Sequence, residues 1–75
     1  MIPLAMMRQG ERARVLSISG GKGLVRRLTE MGLYPGVEIE IVSNMGAGPL
    51  IIGLGGSRLG IGFGIAKKIF GEVLD

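Results

Sequence analysis

The 75-residue sequence has no cysteine and no histidine. Those two absences remove disulfides, thiolate nucleophiles, imidazole bases and the best side-chain ligands for transition metals together. A chain without cysteine fits a reducing cytoplasm. Aromatic residues are scarce, only Tyr34, Phe63 and Phe70, too few for the stacking platform that single-stranded nucleic acid demands. Charge is thin: nine basic and six acidic residues, a net charge of +3, with the cations scattered rather than gathered in a stripe. Long apolar runs are missing too. The uncharged stretch from Ser43 to Ser57 is broken by Gly46, Gly48, Pro49, Gly53, Gly55 and Gly56 and falls short of the roughly 20 residues that cross a bilayer. The opening MIPLAMMRQG has no basic residue ahead of its apolar stretch and no room for a signal-peptide core and cleavage site, so no export is expected.

Catalysis finds no machinery in such a chain. Ser17, Ser19, Ser43, Ser57 and Thr29 have no histidine to activate them, and no two carboxylates are spaced for acid–base work. We therefore expect no enzyme, no catalytic residues and no cofactor. Glu38 and Glu40 are the only close acidic pair, and two carboxylates on one side of a strand read as surface charge rather than as a metal site. Met6, Met7, Met31 and Met45 are soft thioethers, poorly matched to hard divalent cations, and are expected in core or N-terminal packing. GGKGLVRR has glycines and Lys22 ahead of a helix but lacks the spacing of a phosphate-binding loop.

What the chain does have is apolar residues, 47% of the total, and fifteen glycines. A chain of this length buries roughly 60% of its unfolded surface, enough for one core, so residues 1–75 are expected to form a single domain. Arg12 to Ser19 reads as a strand whose apolar residues change phase after Val15, which marks either a bulge or a strand with two partly buried faces. Leu24, Val25, Leu28 and Met31 form one helical stripe, with Arg26, Arg27, Thr29 and Glu30 opposite and Gly32 placed for a left-handed C-cap, followed by Leu33 to pack back on the last turn. Tyr34-Pro35-Gly36-Val37 has the proline and glycine positions of a type II turn. Val37, Ile39 and Ile41 alternate with Glu38 and Glu40 as a half-buried strand. Leu50 to Leu54 and Arg58 to Ile61 flank Gly55-Gly56 as an antiparallel hairpin, and a tight helical turn around Ile65 and Ala66 precedes a last strand from Ile69 to Leu74. Five short strands, with one short α-helix between the first two, describe a mainly β, highly bent antiparallel barrel, and the SH3-like kind fits this length.

The segments LVRRLTEMGLYPGVEIEIV and GPLIIGLGGSRLGIGFGIAKKI, in this order and spacing, resemble the ferrous iron transport protein A family over almost the whole chain. RLTEMGLYPG carries the resemblance furthest, whereas GIGFGIAKK departs from the family pattern in its close glycines Gly60, Gly62 and Gly64. The resemblance implies an SH3-like barrel, a family-level link to transition metal ions, and a cytoplasmic accessory role. The implied partner is the cytoplasmic region of the membrane ferrous iron transporter, protein B, which carries a GTP-binding domain; the chain would lie at the inner face of the membrane through that partner without inserting. For such a contact, Lys22, Arg26 and Arg27 offer a basic patch that suits an acidic partner and equally suits solvation of the helix. Leu33, Tyr34 and Pro35 at the helix exit offer an apolar anchor, with Tyr34 leaning on the barrel as the other reading. Two further readings stand beside this one: a regulatory barrel like those of metal-dependent repressors or nucleic-acid-binding proteins, and weak self-association through Gly46 to Gly64.

Overall fold

A computed structural model describes residues 1–74. Strand β1 (Ile2–Pro3) runs into a 3-10 turn at Leu4–Met6, and β2 (Arg12–Ile18) leads to helix α1 (Lys22–Glu30). Strands β3 (Glu38–Ser43), β4 (Leu50–Leu54) and β5 (Ser57–Ile61) follow, then a short helix α2 (Phe63–Ala66) and β6 (Ile69–Leu74). They form one six-stranded sheet, order β1-β6-β2-β3-β4-β5, with every pairing antiparallel. The expected strand count of five is corrected to six. The addition is β1, whose Ile2 and Pro3 pair with Gly71 and Phe70. So short a strand has no alternation to read, and its existence depends on β6, at the far end of the chain.

The sheet bends around one core because each strand turns the same face inward. Ala13 and Val15 of β2, Ile39 and Ile41 of β3, Leu50 and Ile52 of β4, Ile61 of β5 and Ile69 of β6 are all buried. Leu4, Ala5 and Met7 close one side, and Leu28 and Leu33 bring the helix onto another. Each large aliphatic side chain so buried contributes about 1.5–3 kcal/mol. Of the four methionines expected in packing, Met7 alone is buried; Met6 and Met45 are 71% and 81% exposed, and Met31 lies at the surface edge of the helix stripe. Their sequence neighbours explain this: Met6 ends a 3-10 turn that already buries Leu4 and Ala5, and Met45 sits in the loop between β3 and β4.

The bulge in β2 falls between Val15 and Ser17, where the register with β6 shifts. The extra residue, Leu16, is left at the surface. Beside it Gly71 approaches so closely that a side-chain carbon there would stand 2.6 Å from the carbonyl oxygen of Arg14. Glycine is required at that crossing for lack of room, not for unusual dihedrals. Asn44 supplies the polar tie of the fold: its amide donates to the carbonyls of Ala5 (3.0 Å) and Met7 (2.7 Å), and its carbonyl accepts from Gly46 N–H. The N-terminal segment is thereby pinned to the β3–β4 loop.

Crowding at Gly71 makes a clean contrast with Gly64, which sits in α2 with open space around it. Gly71→Ala is expected to lose about 1–3 kcal/mol of stability through overpacking against backbone. Gly64→Ala is expected to be neutral or to gain up to about 1 kcal/mol from the helix preference of alanine. Urea denaturation of the two variants checks both signs.

Candidate functional site

Helix α1 begins at Lys22 with Gly21 as its N-cap, so no side chain caps its first N–H groups, and no acidic residue complements the positive end of its dipole. Its hold on the fold lies at the other end. Past the last helical residue, Gly32 adopts φ +96° and donates to the carbonyl of Thr29 (3.0 Å), while Leu33 N–H reaches back to the carbonyl of Leu28 (2.8 Å). These are the two bonds of a Schellman end, and the apolar contact that accompanies them is made by Leu28 and Leu33, both buried. Leu33 is therefore corrected from interface anchor to core residue: at 0% exposure it has no surface to offer.

From Leu33 the chain passes at once into the Tyr34–Val37 turn. Gly36 has φ +102°, and Val37 N–H donates to the carbonyl of Tyr34 (3.2 Å), as a type II turn requires. The turn is stapled to β2: Gly36 N–H donates to the carbonyl of Val15 (2.7 Å), and Val15 N–H donates to that of Val37 (2.9 Å). Tyr34, 46% exposed, and the exposed Pro35 are held on a fixed support between a buried leucine and a bonded turn.

The polar arc of α1 carries Lys22, Arg26 and Arg27, all exposed. Arg26 approaches Glu30 one turn on at 3.9 Å, an exposed pair of little energetic weight. Lys22 and Arg27 make no ion pair among the described residues. The structure thus puts five of the six residues singled out in the sequence, Lys22, Arg26, Arg27, Tyr34 and Pro35, at the surface of one helix–turn unit, and withdraws Leu33. Met31, at 38% exposure, joins that unit. Its place one residue before the glycine stop was the available signal, since a stripe residue at a helix end escapes the core when the chain turns away.

The sequence did not show how the charges on the outer sheet face combine. Register sets Arg14 opposite both Glu38 of β3 and Glu72 of β6. Arg14 bonds Glu38 at 3.0 Å and Glu72 at 3.2 Å, and Glu38 also takes Arg12 at 3.0 Å. Period-two spacing of Arg12 and Arg14 and of Glu38 and Glu40 signals outward-facing positions, but the pairing needs the strand order. A shallow groove of about 460 Å³ lies beside this network, lined by residues of β3 and β4 including Glu40 and Gly53 together with Arg12 and Arg58. Among the described residues no three or more acidic, cysteine or histidine side chains gather to hold a metal ion. Glu38, already committed to two arginines, does not fit that task.

Fold and site together define a small SH3-like antiparallel barrel that displays an amphipathic helix and a rigid aromatic turn. An FeoA domain model matches residues 2–73, and the chain belongs to the FeoA family. It is 40% identical over 72 residues to the "Putative Fe(2+) transport protein A" of Methanocaldococcus jannaschii, a match covering 96% of this chain and 87% of that protein. A crystal structure of an iron uptake regulatory protein (FeoA) superposes with a TM-score of 0.92 at 37% identity, covering 97% of both chains. The FeoA of Stenotrophomonas maltophilia, solved in complex with zinc and described as an SH3 domain protein, gives a TM-score of 0.80 at 25% identity over 96% of this chain and 91% of that one.

Neighbouring residues of opposite fate provide the test of this assignment. Leu33→Ala is expected to cost about 2–5 kcal/mol, the range for a buried leucine, and Tyr34→Ala less than about 1 kcal/mol. Thermal unfolding of the two variants separates them. On the sheet face, Glu38→Gln is expected to cost no more than about 1 kcal/mol, because its partners are 41–61% exposed, and the loss is expected to shrink with added salt.

Proposed function

We propose that this chain is an accessory of ferrous iron uptake that binds the cytoplasmic GTP-binding region of a membrane ferrous iron transporter and modulates uptake or GTP turnover, with no catalysis of its own. The observation that carries this reading is the helix–turn unit. Lys22, Arg26 and Arg27 share one exposed arc, and Tyr34 and Pro35 follow on a turn fixed by hydrogen bonds to β2. A rigid aromatic beside exposed cations is the composition that serves protein interfaces, because tyrosine brings large contact area at low entropy cost and arginine is enriched at interface hot spots. Family membership and the Fe(2+) transport name of the archaeal relative supply the physiological setting. Arg12 and Arg14, the other close arginines, are held by Glu38 and Glu72, which leaves the helix as the better seat for an acidic partner surface than for a phosphate backbone.

Titration of the chain into the isolated GTP-binding region of a ferrous iron transporter from the same source tests the proposal. Saturable binding is expected. The double charge reversal Arg26→Glu with Arg27→Glu is expected to weaken it at least tenfold, on the order of 1–2 kcal/mol for desolvated charges facing an acidic surface, and raised salt to weaken the native pair similarly. No binding in any nucleotide state overturns the proposal.

A further inference from the structure

The sheet ends at two edges, the two-residue β1 and the five-residue β5. The Gly55-Gly56 loop joining β4 to β5 has φ +56° and +90°, the type I′ combination, which makes Leu54 and Ser57 a hydrogen-bonded pair. Alternation along an antiparallel ladder then makes Ile52 with Leu59 and Leu50 with Ile61 the next bonded pairs. It leaves the N–H and C=O groups of Arg58 and Gly60 directed away from β4. Both residues are exposed, and no turn, loop or cap hydrogen bond among the described residues takes up those four groups.

Natural sheets protect such an edge with lysines, proline, a bulge or a covering element. β5 has one arginine and no proline, and its register with β4 is unbroken. It is followed by Gly62 and Gly64, around whose side-chain positions nothing stands within 4 Å. At Gly60 an added carbon would touch only the tip of Ile51, on the neighbouring strand. The edge is open to an extended backbone.

We propose that β5 pairs antiparallel with β5 of a second copy of this chain, about a two-fold axis at Leu59. Register selects this occupant. Centred on Leu59, the axis sets Arg58 of each copy against Gly60 of the other, so all four outward groups of each strand find partners and each arginine faces a residue without a side chain. Centred on Arg58, it would oppose like charges. Centred on Gly60, it would set Arg58 against Gly62, whose carbonyl already accepts from Ile65 and Ala66. A strand of five residues makes a small interface, so the dimer is weak and concentration-dependent.

Sedimentation velocity over a concentration series, together with amide NMR of the same samples, tests this. The native chain is expected to gain mass with concentration while the Arg58 and Gly60 amides shift more than the rest. Gly60→Lys places a cation opposite Arg58 of the second copy and is expected to weaken association roughly tenfold or more. Adding Arg58→Glu to it restores an opposite-charge pair and is expected to recover the association. A native chain that stays monomeric overturns the proposal and leaves the edge to an extended segment of another protein. Association that leaves the Arg58 and Gly60 amides unmoved overturns it too, as does a double variant no tighter than Gly60→Lys. The native-chain NMR readout stands even where a variant fails to fold.

Discussion

Val15 serves two neighbours with one residue of backbone. Its N–H and C=O bond the Tyr34–Val37 turn, and on its other flank it pairs with Gly71 of β6. A strand in a flat sheet does this along its whole length, but here β3 begins only at Glu38, so the turn stands in for β3 where the sheet bends away. The bulge after Val15 permits the change of direction, and the bare backbone of Gly71 lets β6 follow it closely. Remove the close crossing and β2 can no longer hold the last strand and the helix exit together.

The helix inherits its position from that arrangement. At its start α1 has neither a side-chain cap nor favourable charge, with Lys22 placed where the dipole disfavours a cation. A nine-residue helix of this kind would not persist alone in water. Its stability comes from Leu28 and Leu33 in the core and from the Schellman bonds, all near the end that adjoins the turn. A local rule broken at an exposed cation, and compensated elsewhere, is the pattern expected where a surface is kept for contact rather than for folding.

Legibility followed the range of the interaction. The helix, its glycine stop, the type II turn and the β4–β5 hairpin are set by residues within a few positions of one another, and each was readable. The bulge was half readable: the phase shift within RARVLSIS suits a bulge or a strand buried on both faces, and the register with β6 decides between them. β1 was not, since two residues carry no period, and neither was Asn44, whose role depends on carbonyls of Ala5 and Met7 nearly forty residues earlier. Leu33 was read both as packing back on the helix and as an interface anchor, and only the first reading holds. A leucine after a helix-ending glycine suits an exposed anchor or a Schellman contact equally well until the path of the next strand is known. The Arg14 ion pairs needed knowledge that β6 and β3 flank β2.

Glycine, abundant throughout, divides into two kinds in the structure. Gly32, Gly36, Gly55 and Gly56 hold positive φ, and Gly71 has no room for a side chain. At Gly32 a side-chain carbon would also meet the Cδ2 tip of Leu54, the last residue before the β4–β5 loop, at 2.9 Å. The helix exit and the hairpin therefore lie side by side. Gly60 in β5 and Gly64 in α2 answer to neither demand, although a glycine within a strand or helix costs roughly 0.5–1 kcal/mol relative to alanine. Nothing inside the barrel offsets that cost. At Gly60 a strand approaching from outside does, because the arginine opposite it needs the space that a residue without a side chain leaves open.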